Sequence, residues 1–178
     1  FKKTGDNWVL ASALAGDPRR TDSLEAVPGV GTIVNVAPKA SGQHLITDWE
    51  HADIELSFEF LVPQDSNSGV YFMGRYEVQI QDDLGKALDP LRIGGIYGFI
   101  SPGVDAAGHP DEWQSMNVEL IGRRVTVLLN GKTISANREI PGITGGALDS
   151  NEGSAGPLML QGDHGPIEFR NIEIRQAR

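Results

Sequence analysis

The chain has 178 residues and not one cysteine. That excludes disulfide staples, thiolate metal sites and cysteine nucleophiles together, although a chain of this size can build a core without staples and the absence fixes no compartment. Basic residues are scarce: 15 Lys and Arg stand against 24 Asp and Glu, a net charge of −9. Nucleic acid and anionic membrane surfaces demand a basic footprint, so both are poor partners. No apolar run approaches the length that spans a bilayer, and membrane insertion by a helix is excluded. A neutral or cationic small molecule or a sugar remains compatible, and protein partners are unspecified. Histidines are few, and His44, His51 and His109 form no spaced cluster, so no metal motif emerges. The chain opens on Phe1 and not Met, which reads as a processed or trimmed product from which any export signal has gone.

What is abundant is glycine, 22 residues, together with 10 prolines. This suits many short strands and tight turns better than a helical bundle, and no helical period is sustained. The cleanest strand is Ile54 to Phe60, where apolar residues occupy 54, 56, 58 and 60. Further strands are expected at Trp8–Leu10, Gly29–Asn35, His44–Thr47, Gly94–Gly98, Trp113–Leu120, Leu158–Gln161 and Ile167–Arg175. Residues 124–134 read as a hairpin turning at Asn130-Gly131, the strongest short turn signal in the chain. Residues 11–26 are mixed, a short helix or a loop. Irregular connections are expected at 38–43, 101–112 and 144–156, and a loop over residues 82–92. About ten strands at this spacing predict one all-β domain over 1–178, two antiparallel sheets packed as a sandwich.

The stretch that carries chemistry is Ser66 to Asp83. A two-residue turn at Gly74-Arg75 sets Met73 opposite Tyr76, Phe72 opposite Glu77, Tyr71 opposite Val78 and Val70 opposite Gln79. Alternation then sends Tyr71, Met73, Tyr76, Val78 and Ile80 to an apolar face, and Val70, Phe72, Glu77, Gln79 and Gln81 to the other. An acid–amide row beside an aromatic ring reads as the floor of a site. Its plainer reading is a solvated strand face.

Several segments occur in an order that resembles the 3-keto-disaccharide hydrolase family, formerly a domain of unknown function. They are Asn67-Ser-Gly-Val-Tyr, Met73-Gly-Arg-Tyr-Glu-Val-Gln-Ile, Gly94-Gly-Ile-Tyr-Gly, Glu112-Trp-Gln, Leu129-Asn-Gly-Lys, Gly156-Pro-Leu-Met-Leu-Gln-Gly-Asp-His-Gly and Phe169-Arg-Asn-Ile. The resemblance runs from about Gly31 to Ile174. It implies a concanavalin A-like lectin/glucanase jelly roll, a secreted or periplasmic location, and cleavage of 3-keto-glycosides by proton abstraction at C2, elimination and hydration. It selects Glu77 and His164 as base and acid, in either order. Gln79, Gln161, Tyr97, Arg75, Asp82 and Asn67 are the substrate-binding candidates, with Gln79 and Gln161 for hydroxyls or the keto oxygen and Arg75 or Arg170 for the enolate. Asp82 reaches the site only if its strand bulges or ends there. Lectin-like jelly rolls often hold Ca²⁺, and such a divalent metal is compatible, but no loop here has the spacing to place one.

Each candidate has a duller role: His164 as an exposed turn residue, Tyr97 packed across neighbouring glycines, Asn67 fixing a turn, Arg170 in a structural ion pair. A conventional glycosidase needs two carboxyl groups flanking the bond, and the amide at Gln79 cannot act as nucleophile or acid. An endo-β-glucanase is therefore disfavoured. A lectin-like binding module without turnover remains the alternative, since fold does not decide function.

Overall fold

A computed structural model of the chain describes all residues except 3–4, 18–19, 21–23, 39, 111 and 178. The stretch 11–26, expected as a short helix or a loop, is strand at 11–15 and 25–26, where it pairs with itself as a hairpin; its residues 18–19 and 21–23, and residues 39 and 111 of the connections expected at 38–43 and 101–112, lie outside the described residues. The described residues form eleven strands and no helix: β1 Trp8–Ala15, β2 Glu25–Asn35, β3 Leu45–His51, β4 Ile54–Leu61, β5 Asn67–Phe72, β6 Tyr76–Gln81, β7 Gln114–Ile121, β8 Arg124–Leu129, β9 Lys132–Glu139, β10 Gly156–Leu160 and β11 Ile167–Gln176. They build a seven-stranded sheet, β1-β2-β11-β4-β7-β8-β9, and a four-stranded sheet, β3-β10-β5-β6. Every pairing is antiparallel. The expected all-β sandwich is the fold that forms.

Period-two patterning explains why. In β4, Ile54, Leu56, Phe58 and Phe60 are buried while the residues between them are more open. Residues Met116, Val118 and Leu120 of β7 do the same beside them, in register with Phe58, Leu56 and Ile54. Phe58, Phe60, Phe169 and Trp8 form an aromatic seam on the large sheet. Val70, Phe72, Tyr76, Val78 and Ile80 of the small sheet belong to the same core. The Asn130-Gly131 turn forms as expected, with both residues left-handed at φ 49° and 75°.

Two further expectations change. Residues 94–98 are not a strand of either sheet. They fold as turns, with Ile96 making isolated bridges to Val78 and Ile100. Gln79 N–H donates to Gly95 O, Gly94 N–H to Gln79 O and Tyr97 N–H to Glu77 O. This segment thereby covers the free edge of β6, an edge that would otherwise be open to pairing with another chain.

The second change is one of register. The β5–β6 loop holds three residues, Met73, Gly74 and Arg75, and the pairs are Phe72↔Tyr76, Tyr71↔Glu77, Val70↔Val78 and Gly69↔Gln79. Met73 as well as Gly74 is left-handed, at φ 51° and 65°. A buried histidine makes this possible: Met73 N–H donates to His51 Nε2 at 3.0 Å. A one-residue slip exchanges faces. Phe72 therefore packs in the core, and Tyr71 joins Glu77 and Gln79 on the outward face.

Candidate functional site

The outward face of β5–β6 is the floor of a cavity of about 270 Å³ lined by Asn67, Tyr71, Glu77, Gln79, Tyr97, Gly145, Gly146, Gln161 and His164. Six of the residues singled out from sequence thus meet in one hollow. Arg75 and Asp82 do not line it. Larger hollows lie on the outer face of the big sheet, around Glu55, Glu119 and Arg175. They gather exposed charge without an aromatic wall.

Glu77 is the centre of the site. Its backbone is held on both sides, N–H donating to Thr144 Oγ1 at 3.0 Å and C=O accepting from Tyr97 N–H. Its side chain lies across Gly69, where a Cβ atom would collide with Glu77 Oε1. Glycine at 69 is thus a requirement of close approach. At 2% exposure the carboxyl is out of water. Burial pushes its pKa up to about 7, a hydrogen bond from Tyr71 pulls it partly back, and the charge of Asp163 adds a smaller upward push.

Tyr71 is the residue that sequence reasoning misplaced. Its hydroxyl donates to Gly145 O at 2.9 Å and accepts from Gln161 Nε2 at 3.3 Å. Burial, reinforced by the nearby Glu77 charge, holds its proton far more tightly than an ordinary phenol does. Reading the hairpin loop as three residues would have found it; nothing in the sequence pointed to Gly145 or Gly146.

Gln161 is fixed at the end of β10, its N–H on Gly69 O and its C=O accepting from Ser68 Oγ. His164 follows in a turn clamped by buried Asn35, whose Nδ2 donates to Gly162 O and Gly165 O. His164 Nδ1 lies 2.6 Å from Asp163 Oδ1, and its side chain is 47% exposed. A carboxylate on Nδ1 fixes the ring and leaves Nε2 for a ligand. Asn67 Nδ2 donates to Gln81 Oε1, so its partner is the neighbouring strand and not its own turn.

The two outliers have structural work. Arg75 is buried, with Nε 2.6 Å from Asp149 Oδ1 and Nη1 donating to Ser154 O. Thr144 adds a second tie, its Oγ1 donating to Arg75 O, and Leu148 N–H donates to Gly74 O. Arg75 therefore pins the loop that carries Gly145 and Gly146, and is unable to serve an enolate. Asp82 Oδ2 accepts from Asp65 N–H in the turn before β5, away from the cavity. Its neighbour Asp83 is the buried one, holding Arg92 and Ile93 N–H and so tethering the loop after β6. From that loop, Leu91 O accepts from Gln79 Nε2. Arg170 lies on the far sheet, paired to Glu59 and stacked over Trp113. Among the described residues no group of three or more His, Asp or Glu could hold a metal ion.

A profile of the 3-keto-alpha-glucoside-1,2-lyase-like domain matches residues 3–175. The chain belongs to that family. Membership places its function in carbohydrate chemistry. Among solved structures, a "putative glycosyl hydrolase" from Parabacteroides distasonis ATCC 8503 is 26% identical and superposes with a TM-score of 0.67, covering 83% of this chain and 87% of that one. A second structure of the same description and organism is 25% identical, TM-score 0.62, over 83% of this chain and 68% of that one. A third, at 17% identity and TM-score 0.68, shares the fold, over 83% of this chain and 81% of that one. No curated protein matches the chain in sequence.

Proposed function

We propose that the cavity cleaves the glycosidic bond of 3-keto-glycosides, with Glu77 as base and His164 as acid. The observation that carries this reading is a solitary carboxyl. Among the described residues Glu77 is the one acidic residue lining the cavity, so they do not supply the carboxyl pair that a conventional glycosidase sets across the bond. A lone base is what a sugar ketone requires. The carbonyl at C3 acidifies the hydrogen at C2, and Glu77, with a pKa near neutrality, takes that proton. The C–H electron pair moves into the C2–C3 bond as the carbonyl becomes an enolate. Collapse of the enolate forms the C1–C2 double bond and breaks the bond from C1 to the leaving oxygen, which takes a proton from His164. Water then adds its hydroxyl to C1 and a proton to C2, so the net reaction is hydrolysis. Asp163 on Nδ1 holds the ring in place for this role.

The test is release of the aglycone from a 3-keto-glucoside compared with its parent glucoside. Turnover of the ketone alone supports the reading. Equal cleavage of both, or binding of glycans with turnover of neither, refutes it in favour of a glucanase or a lectin-like module.

A further inference from the structure

Two glutamines line the cavity, and among the described residues the side-chain oxygen of neither has a hydrogen-bond donor. Gln79 Oε1 and Gln161 Oε1 are buried and unpartnered, on side chains 2% and 7% exposed. An amide can be turned over to exchange its oxygen and nitrogen, but the neighbours here fix both. Gln79 Nε2 faces Leu91 O and Gln81 Oε1, each at 3.4 Å. A backbone carbonyl only accepts, so turning Gln79 over would set two oxygens against each other. Tyr71 has one proton, and both Gly145 O and the Glu77 carboxylate compete for it. Its oxygen is left to accept, and Gln161 Nε2 supplies the donor at 3.3 Å. Turning Gln161 over would add a third acceptor to that single proton.

From this we infer that the cavity selects a sugar ring by two of its free hydroxyl groups, each donating to one glutamine oxygen, with the keto oxygen turned away from both. This rests on the carbohydrate reading above and sharpens it. A keto oxygen and an enolate have no hydrogen to give, so neither glutamine holds them, although the sequence left that role open. Glycosides alkylated or acylated at either hydroxyl are excluded as substrates. A buried acceptor left without its donor is costly, which makes the discrimination steep.

The experiment measures kcat/KM for aglycone release from a 3-keto-glucoside and from analogues in which each of its three remaining hydroxyls, at C2, C4 and C6, is replaced singly by hydrogen or by fluorine. Fluorine accepts and does not donate, so it separates the two roles of a hydroxyl. At two positions, both replacements should lower kcat/KM by about 10- to 100-fold. Gln161→Met should lose a similar factor on the parent and show no further loss with one of those two analogue pairs, and Gln79→Met should behave likewise with the other. Retention of activity by the fluorinated compounds, or uniform behaviour across the series, would overturn the inference, and is the outcome expected if the Glu77 proton itself satisfies these oxygens. If even the parent ketone neither turns over nor binds, the proposed activity falls first and this inference with it.

Discussion

Replacing Glu77 by Gln should abolish the proposed activity and make the protein more stable in alkali. The folded carboxyl has a pKa of about 7 against an ordinary 4.5. Because the folded value is the higher one, the unfolded chain gives up its proton first. The neutral form is favoured in the fold below about pH 4.5, and that advantage is lost as pH rises through 7. A shift of this size corresponds to about 3 kcal/mol once both states are ionised, and to about 2.5 kcal/mol between pH 5 and pH 8. Gln keeps the shape and does not ionise. The gap in unfolding free energy between Glu77→Gln and the parent should therefore widen by roughly that amount over the same range, or roughly 5–10 °C in Tm for a domain of this length. His51, whose pKa burial lowers, is common to both proteins and cancels in the difference. Urea unfolding of the two proteins at both pH values is the assay. A gap that stays constant with pH would mean that Glu77 is not held in a desolvated site, and would remove the basis for treating it as a tuned base.

Three other outcomes follow from the same geometry. The kcat/KM profile on a 3-keto-glucoside should rise along a limb with a midpoint near pH 7, because Glu77 must be ionised to accept a proton; a flat profile through neutrality contradicts the assignment. Gly69→Ala should retain the fold yet lower kcat by at least about 100-fold, since the new methyl displaces the Glu77 carboxyl; near-normal turnover by a folded variant would show that the carboxyl position is not critical. Arg75→Met should leave circular dichroism intact while raising KM and opening residues 145–154 to limited proteolysis, because the loop loses its ties to Arg75; unchanged proteolysis would refute the anchoring role.

The sequence announced the sheets because half-buried strands write their exposure at every second residue, as Ile54 to Phe60 shows. It also singled out Glu77, Gln79, Gln161 and His164, which the fold brings to one cavity. It misled where a single residue of loop length decides the outcome. Gly74-Arg75 reads as a two-residue turn, but Met73 takes a left-handed conformation that a methionine rarely adopts, held there by His51 from another strand. Such tertiary support leaves no local trace. The same is true of Arg75, whose charge pointed to a ligand and whose partner, Asp149, lies 74 residues away. Residues 94–98 carry strand-like composition but are bent by Gly94 and Gly98, both at positive φ.

The row of amides explains how a buried acid can work as a base. Successive residues on one face of a strand lie roughly 7 Å apart, so a carboxylate at 79 in place of Gln79 would stand close to Glu77 in a desolvated floor. Like charges at that distance raise the pKa of one of the pair, beyond the elevation burial already imposes. Glu77 would then stay protonated at neutrality and act as an acid, the division of labour of paired-carboxyl glycosidases. Gln79 and Gln161 supply polarity without charge, which leaves Glu77 able to ionise near pH 7. Asp163 adds only a smaller upward push on Glu77, from outside the cavity lining and in contact with His164. The chemistry thus follows from where charge is withheld as much as from where it is placed.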